Sequence, residues 1–367
     1  MPPPRAATDG SKTFNPCRLF DDADLLGRVH SCLNHNDFRS AIITAFELPS
    51  GDNFIYHAIA SVNLYQVQAA INAGNANGLH DWYLDDDGNP AGHPPPADIA
   101  AYISLFDPSR SAANSLKSFL ANAKKDSLRA SVAGYLTSKR HLDPSLVIPK
   151  RKTSTPHANP ASDFWAWSCQ ALEYVGPHDK TVRIKTSHHV LPVFMHHFGC
   201  VCPSYEALEI ISKLAEASTG KTIIDMGSGN GYWTLMLRRH KANLSVIAVD
   251  NASSKWRTTW IDDTIVTDGV SWLRKRNGAP DAILLMVYPI IGGDFTRRVV
   301  ESYRGDVIFV AGTQNGNGYT GFKDMMVDEW MQANKDFEKI VQVPLPSFAG
   351  KDDALFGFRR RKTTEVR

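Results

Sequence analysis

Along residues 24–73 the apolar positions recur at helical spacing, as at Ala41, Ala45 and Leu48 and again at Ile55, Ile59 and Val62, which predicts packed helices. The same spacing returns over 99–106 and 111–136, after a loop at 85–96 marked by an Asp-Asp-Asp-Gly-Asn-Pro turn and three consecutive prolines. The pattern changes beyond residue 160. Trp165 and Trp167 open an aromatic segment, 181–185 alternates like a short strand, and 203–217 reads as a helix. Short β-branched runs then follow at 223–224, 245–249, 263–266, 282–287 and 306–310, separated by helical stretches at 233–240, 270–276 and 295–303. Apolar strands alternating with amphipathic helices imply a parallel sheet covered on both faces. A helix at 322–333 precedes two last strands, 337–343 and 354–358, which are joined by a loop alone and should pair antiparallel.

These patterns divide the chain into a mobile tail (1–20), a mainly helical N-terminal domain (21–145), a linker (146–163) and an α/β domain (164–367). The linker follows from the basic, Pro- and Ser/Thr-rich run at 150–160. Lys+Arg (40) nearly cancel Asp+Glu (38), a balance expected neither of a general nucleic-acid binder nor of a membrane-surface protein. Five irregularly spaced cysteines fit a reducing compartment rather than a disulfide framework. With no apolar leader and no span-length apolar run, the expected location is the cytoplasm, with the nucleus open and no membrane partner.

The sharpest chemical signal is the run Asp225-Met-Gly227-Ser228-Gly229-Asn230-Gly231 between a strand and a helix. Glycine tolerates positive φ and leaves the backbone open to close approach by a ligand. Dinucleotide binders space their glycines G-x-G-x-x-G, whereas here they fall on alternate positions. Asp-x-Gly-x-Gly-x-Gly resembles the first motif of class I S-adenosylmethionine-dependent methyltransferases. The resemblance implies a Rossmann-like, mostly parallel sheet with a reversed last strand, and S-adenosyl-L-methionine as cofactor. It places the amino-acid part of the cofactor over Gly227, Ser228, Gly229, Asn230 and Gly231, with Asp225 holding the turn and the cofactor's amino group. Asp250, with Asn251 after it, ends the second strand, where a carboxylate accepts two ribose hydroxyls. Asp268 would face the adenine amino group, with the backbone N–H of Gly269 or Val270 on a ring nitrogen.

In such sheets the acceptor sits beyond the carboxyl end of the fourth strand. That end reads Met286-Val287-Tyr288-Pro289, so Tyr288 and Pro289 are the expected catalytic wall, with Tyr205, Tyr232 and Trp233 on the rim. Amino-group methyltransferases often carry a polar residue where this chain has Val287, so the nucleophile, N or O, and the acceptor class, small molecule, protein or RNA, stay open. Cytosine-type chemistry needs a nucleophilic cysteine, and every cysteine precedes the glycine motif. The histidine and cysteine pairs at 188–189, 196–197 and 200–202 lack zinc spacing, and the acidic run at 85–87 lacks the outer ligands of a calcium loop, so no metal is expected. Two rival readings remain: a non-catalytic cofactor-binding scaffold, favoured by Val287, and a nicotinamide-dependent oxidoreductase, disfavoured by the glycine spacing.

Overall fold

A computed structural model describes residues 10–361 apart from 13, 59, 153–156, 290–293, 317–321, 323–324 and 335. The chain begins with helices α1 (Pro16–Asp21), α2 (Ala23–Asn34) and α3 (Phe38–Ala45), then a hairpin of β1 (Tyr56–His57) and β2 (Ser61–Val62). Helices α4 (Leu64–Ala73), α5 (Pro96–Ile103), α6 (Ala112–Ala121) and α7 (Leu128–Lys139) follow, then strand β3 (His141–Leu142) and helices α8 (Pro160–Ala171), α9 (Val190–His197) and α10 (Tyr205–Ala217). From there strands and helices alternate: β4 (Thr222–Met226), α11 (Tyr232–His240), β5 (Ser245–Asp250), β6 (Ile265–Val266), α12 (Gly269–Arg274), β7 (Ala282–Val287), α13 (Phe295–Ser302) and β8 (Val307–Thr313). Helix α14 (Val327–Ala333) and strands β9 (Phe337–Pro344) and β10 (Asp353–Arg360) close the described chain. Side-chain caps set several helix starts: Asp22 and Asp37 accept from Leu25 N and Ser40 N, and Asn63 with Gln66 forms a capping box on α4.

The strands from β3 onward form one sheet in the order β3-β9-β10-β8-β7-β4-β5-β6. Pairs β5·β6, β4·β5, β4·β7 and β7·β8 are parallel, while β10 runs antiparallel to both β8 and β9. This is the Rossmann-like methyltransferase sheet with its reversed last strand, and β3 is appended to its edge.

Alternation along the strands sorts their side chains onto two faces. Ile224, Leu284, Ile308 and Phe356 pack beneath α12, α13 and α14. On the other face Ile223, Leu285, Phe309 and Leu355 belong to a cluster that runs back through α11, α10, α9 and α8 to Leu25, Val29 and Phe14.

That cluster corrects the expected organisation. The boundary at 146–163 does not separate two cores, because residues before and after it bury one another. Phe38 stacks on Trp167 with ring centroids 4.9 Å apart, Phe46 stacks on His197 at 3.8 Å, and Trp165 Nε1 donates to Ser347 O at 2.9 Å. Tyr135 of α7 donates to Asp352 (2.6 Å), and β3 lends the sheet its edge strand. The expected mobile tail is likewise ordered over its described part: Phe14 is buried against Trp260, and α1 carries Leu19 into the core. Residues 1–9 lie outside the described residues. The alternating run at 181–185 is a 3₁₀ turn, Asp179–Arg183, fixed by mutual capping of His178 and Thr181. The expected helix at 322–333 begins at Val327 in the described part.

Candidate functional site

Strand β4 ends in the glycine turn, which hangs from β5: the N–H groups of Gly227 and Ser228 both donate to Val249 O, at 2.7 and 3.2 Å. Gly227, Gly229 and Gly231 have φ of +75°, +57° and +79°, the left-handed region that a side chain disfavours. They serve different ends. A Cβ on Gly229 would meet nothing within 4 Å, so this position leaves the turn open toward a ligand. A Cβ on Gly231 would lie 2.4 Å from Ile261 Cγ1, so here the absent side chain admits the loop that follows β5.

Asp225, at the end of β4, is wholly buried. Its Oδ2 accepts from Thr234 Oγ1 at 2.6 Å, and its Oδ1 has no partner among the described residues. Burial pushes its carboxyl up to about 7. Asp250, half-buried at the end of β5, accepts from Gly229 N at 2.9 Å and from Ala252 N at 2.6 Å, which locks the carboxylate to the turn and leaves lone pairs on both oxygens. Asp268 caps α12 by accepting from Ser271 N at 2.8 Å, and its bonds with Ser271 hold the carboxyl below the usual range. Gly269 lets α12 pack on β4, since a Cβ there would sit 2.4 Å from Met226 Sδ.

These strand ends surround a cavity of about 520 Å³, within the roughly 300–1,000 Å³ of small-molecule and cofactor sites. Gly227, Ser228, Gly229, Asn230, Asp250, Asn251, Asp268 and Gly269 line it, as do Trp233, Tyr288 and Pro289. Tyr288 has φ +48°, unusual for a bulky residue, while its N–H donates to Ala311 O at 2.7 Å. The hydrogen bond to β8 holds this strained backbone in place just past the central strand β7.

Other expected site residues lie elsewhere. Asp225, Gly231 and Val270 do not line the cavity: the first two build the turn, and Val270 is a core residue of α12. Tyr232 is fully buried, with its hydroxyl donating to Asn159 Oδ1 (2.7 Å) and accepting from Ala161 N, because the first turn of α11 faces the shared core. Tyr205 starts α10 on the far side of that core, where its ring meets His157 and His240 and borders a separate small cleft.

The far wall of the cavity had no motif to announce it. Met195, Phe198, Gly199 and Cys200 contribute from the end of α9, and Arg257 comes from the loop after β5. Both segments are tied to the glycine turn: Asn230 Nδ2 donates to His197 O (3.0 Å), Trp260 N to Asn230 O (2.9 Å), Thr258 N to His196 O (3.2 Å) and Trp233 Nε1 to Val201 O (2.9 Å). The histidines at 196–197 serve this scaffold. His196 Nε2 bonds to Gly10 O at 2.7 Å, and His197, kept neutral by burial, bonds through Nδ1 to Thr258 Oγ1 at 2.8 Å. Among the described residues no three metal-ligating side chains converge.

No protein-family model and no curated protein sequence matches the chain. Among solved structures it is similar to a 1,6-didemethyltoxoflavin-N1-methyltransferase of Burkholderia thailandensis with bound 1,6-didemethyltoxoflavin and S-adenosylhomocysteine, at 14% identity, covering 42% of this chain and 78% of that one, with a TM-score of 0.28. It is also similar to an O-methyltransferase of Bacillus cereus in complex with S-adenosylhomocysteine, at 15% identity, 50% and 92% coverage and a TM-score of 0.30. A third similar structure is the trans-methyltransferase CalH in complex with S-adenosylhomocysteine, at 13% identity, 77% and 98% coverage and a TM-score of 0.34. By strand order, reversed strand and glycine turn, the chain has the Rossmann-like fold of class I methyltransferases.

Proposed function

We propose that the chain transfers a methyl group from S-adenosylmethionine to an N or O nucleophile of an acceptor held beside Tyr288 and Pro289. The observation that carries this reading is convergence: the open glycine turn and the carboxylates that follow β5 and β6 line one cavity, which ends at the strained Tyr288. The site's chemistry fits the cofactor. Gly229 leaves room over the turn, Ser228 Oγ is buried without a partner among the described residues, and Asp250 and Asp268 each keep free acceptor capacity.

When bound, the cofactor supplies an electrophilic methyl group on a sulfonium that already carries its leaving group. The protein's own task is positioning, because holding the nucleophile in line supplies most of the available acceleration. Asp250 would accept the ribose hydroxyls, and Asp268 would accept from the adenine amino group. Asp225 holds the turn through Thr234 rather than touching the cavity itself. Tyr288 offers a planar acceptor an aromatic face or a hydroxyl, and Met195, Phe198 and Phe295 exclude water around it.

The test is calorimetric titration of the whole chain with S-adenosylmethionine, S-adenosylhomocysteine and NAD in parallel. The reading expects binding of both sulfur compounds. Affinity for NAD alone would overturn it.

A further inference from the structure

The cavity has three charged side chains in its lining, Asp250, Asp268 and Arg257. The two carboxylates have backbone donors that fix them. Arg257 is different. Its Nη1 reaches Cys200 Sγ at 3.7 Å, its Nε is buried without a partner, and no carboxylate pairs with it among the described residues. Burial pushes the Cys200 thiol up, so that sulfur is neutral and does not offset the guanidinium's charge.

The placement of Arg257 is built rather than accidental. Its neighbours Thr258 and Trp260 bond to His196 O and Asn230 O, which fixes the loop to the end of α9 and to the glycine turn. Its contact residue Cys200 precedes Val201, whose carbonyl receives Trp233 Nε1 from the first turn of α11. Arg257 therefore lines the cavity beside the glycine turn and the end of α9. An arginine with unfilled donors at the edge of a buried cavity calls for a planar anion, and a carboxylate matches its fork.

We propose that Arg257 is the carboxylate anchor of the cavity and binds the α-carboxylate of the cofactor's amino-acid arm. This rests on the proposed cofactor. The charges agree with it: two anionic groups and one cationic group line the site, and the cofactor has two cationic groups and one anionic one. A carboxylate on the acceptor is the other source of the same chemistry, so the experiment must separate the two.

Wild type, Arg257→Met and Arg257→Lys are titrated calorimetrically with S-adenosylmethionine and with decarboxylated S-adenosylmethionine, which keeps the amine and sulfonium but lacks the carboxylate. Wild type should prefer the intact cofactor by about 10- to 100-fold, the usual worth of a charge-assisted pair. Arg257→Met should lose that preference by binding the intact cofactor more weakly and the decarboxylated one unchanged, and Arg257→Lys should fall between. Thermal melting checks that each variant is folded, and Arg257→Lys against wild type carries the comparison if Arg257→Met is not. Equal weakening of both ligands, or no weakening of either, overturns the proposal, and the second outcome leaves an acceptor carboxylate as the other source. Wild type that binds neither compound would instead overturn the cofactor reading on which the proposal stands.

Discussion

The two faces of the sheet are built on different scales. The face under α12, α13 and α14 draws its buried residues from Ile224 to Phe358, all within the alternating part of the chain. The opposite face draws on residues from Phe14 to Leu355, so helices formed early in the chain complete a core whose strands come late. The cavity sits where the two meet. Its floor is made by strand ends and the glycine turn, and its far wall by the end of α9 and the loop carrying Arg257, both held in place by the long-range face. A face assembled from distant segments depends on all of them, whereas the local face is drawn from one continuous stretch of chain.

Removing residues 1–150 therefore has the largest expected effect. It would strip Phe38 from Trp167 and Phe46 from His197, remove β3 from the sheet edge and expose the apolar side of α8 and α9. The truncated chain should lose cooperative thermal unfolding and aggregate. Limited proteolysis that releases a folded, cofactor-binding fragment starting near residue 160 would break the comparison and restore two independent domains.

The same difference in scale explains what could be read from the sequence. The strands themselves, the glycine turn and the strand-end positions of Asp250 and Asp268 were legible because each depends on residues within a few positions: a β-branched run, a glycine at positive φ, an acid at a strand end. The fusion of the N-terminal helices with the sheet was not, since helical spacing reveals that Val29 or Leu136 is buried without revealing against what. Arg257 was hidden for the same reason. Its loop has no periodicity, and its place in the cavity follows from hydrogen bonds to His196 and Asn230 that only the fold brings near. Tyr232 and Tyr205 misled because aromatic residues at helix starts beside a motif suggest a rim, while the faces of α11 and α10 turn them toward the core and a separate cleft.

Within the cavity, Tyr288→Ala is expected to have the next largest effect. If the ring positions the acceptor, turnover should fall about 100-fold, the scale on which misplacement of a reactant costs rate. Calorimetric affinity for S-adenosylhomocysteine should hardly change, because the residues proposed to hold the cofactor are the glycine turn, Asp250, Asp268 and Arg257, not Tyr288. An equal loss of cofactor affinity and melting temperature would mark Tyr288 as a packing residue.

Asp250→Ala probes the floor. It removes the acceptor for Gly229 N and the one proposed for the ribose hydroxyls, and should weaken cofactor binding by about 1–3 kcal/mol, the cost of leaving buried hydrogen-bonding groups unpaired. Unchanged affinity in calorimetry would remove Asp250 from the site.

The smallest expected effect is a pH dependence that the long-range face should dominate. Asp352, between Tyr135 of α7 and Gln314, is pushed up to about 6 by burial, and its neighbour Asp353 to about 7 by burial and then by Asp352. Asp225 is pushed up to about 7 by its own burial. Each has a folded value above its unfolded one, so the native chain holds protons that the unfolded chain has released, and stability falls as pH rises through this interval. The loss begins near pH 4, the ordinary carboxyl value, and levels off above about 7. Paired carboxylates such as Asp143 and Glu209, held below the usual range by their hydrogen bonds, oppose this at the acid end, and His157, His188 and His197, whose burial holds them below the ordinary imidazole value, oppose it up to about pH 6.5. Melting temperatures recorded from pH 6.5 to 8 should therefore decline, and Asp353→Asn, which cannot ionise, should flatten the decline more than Asp225→Asn does. Asp353 and Asp352 are adjacent on β10 and its approach, so neutralising one also eases ionisation of the other, whereas Asp225 stands apart at the end of β4. A decline flattened equally by both substitutions would mean that the pH response belongs to buried carboxyls in general and not to the face that joins the two halves of the chain.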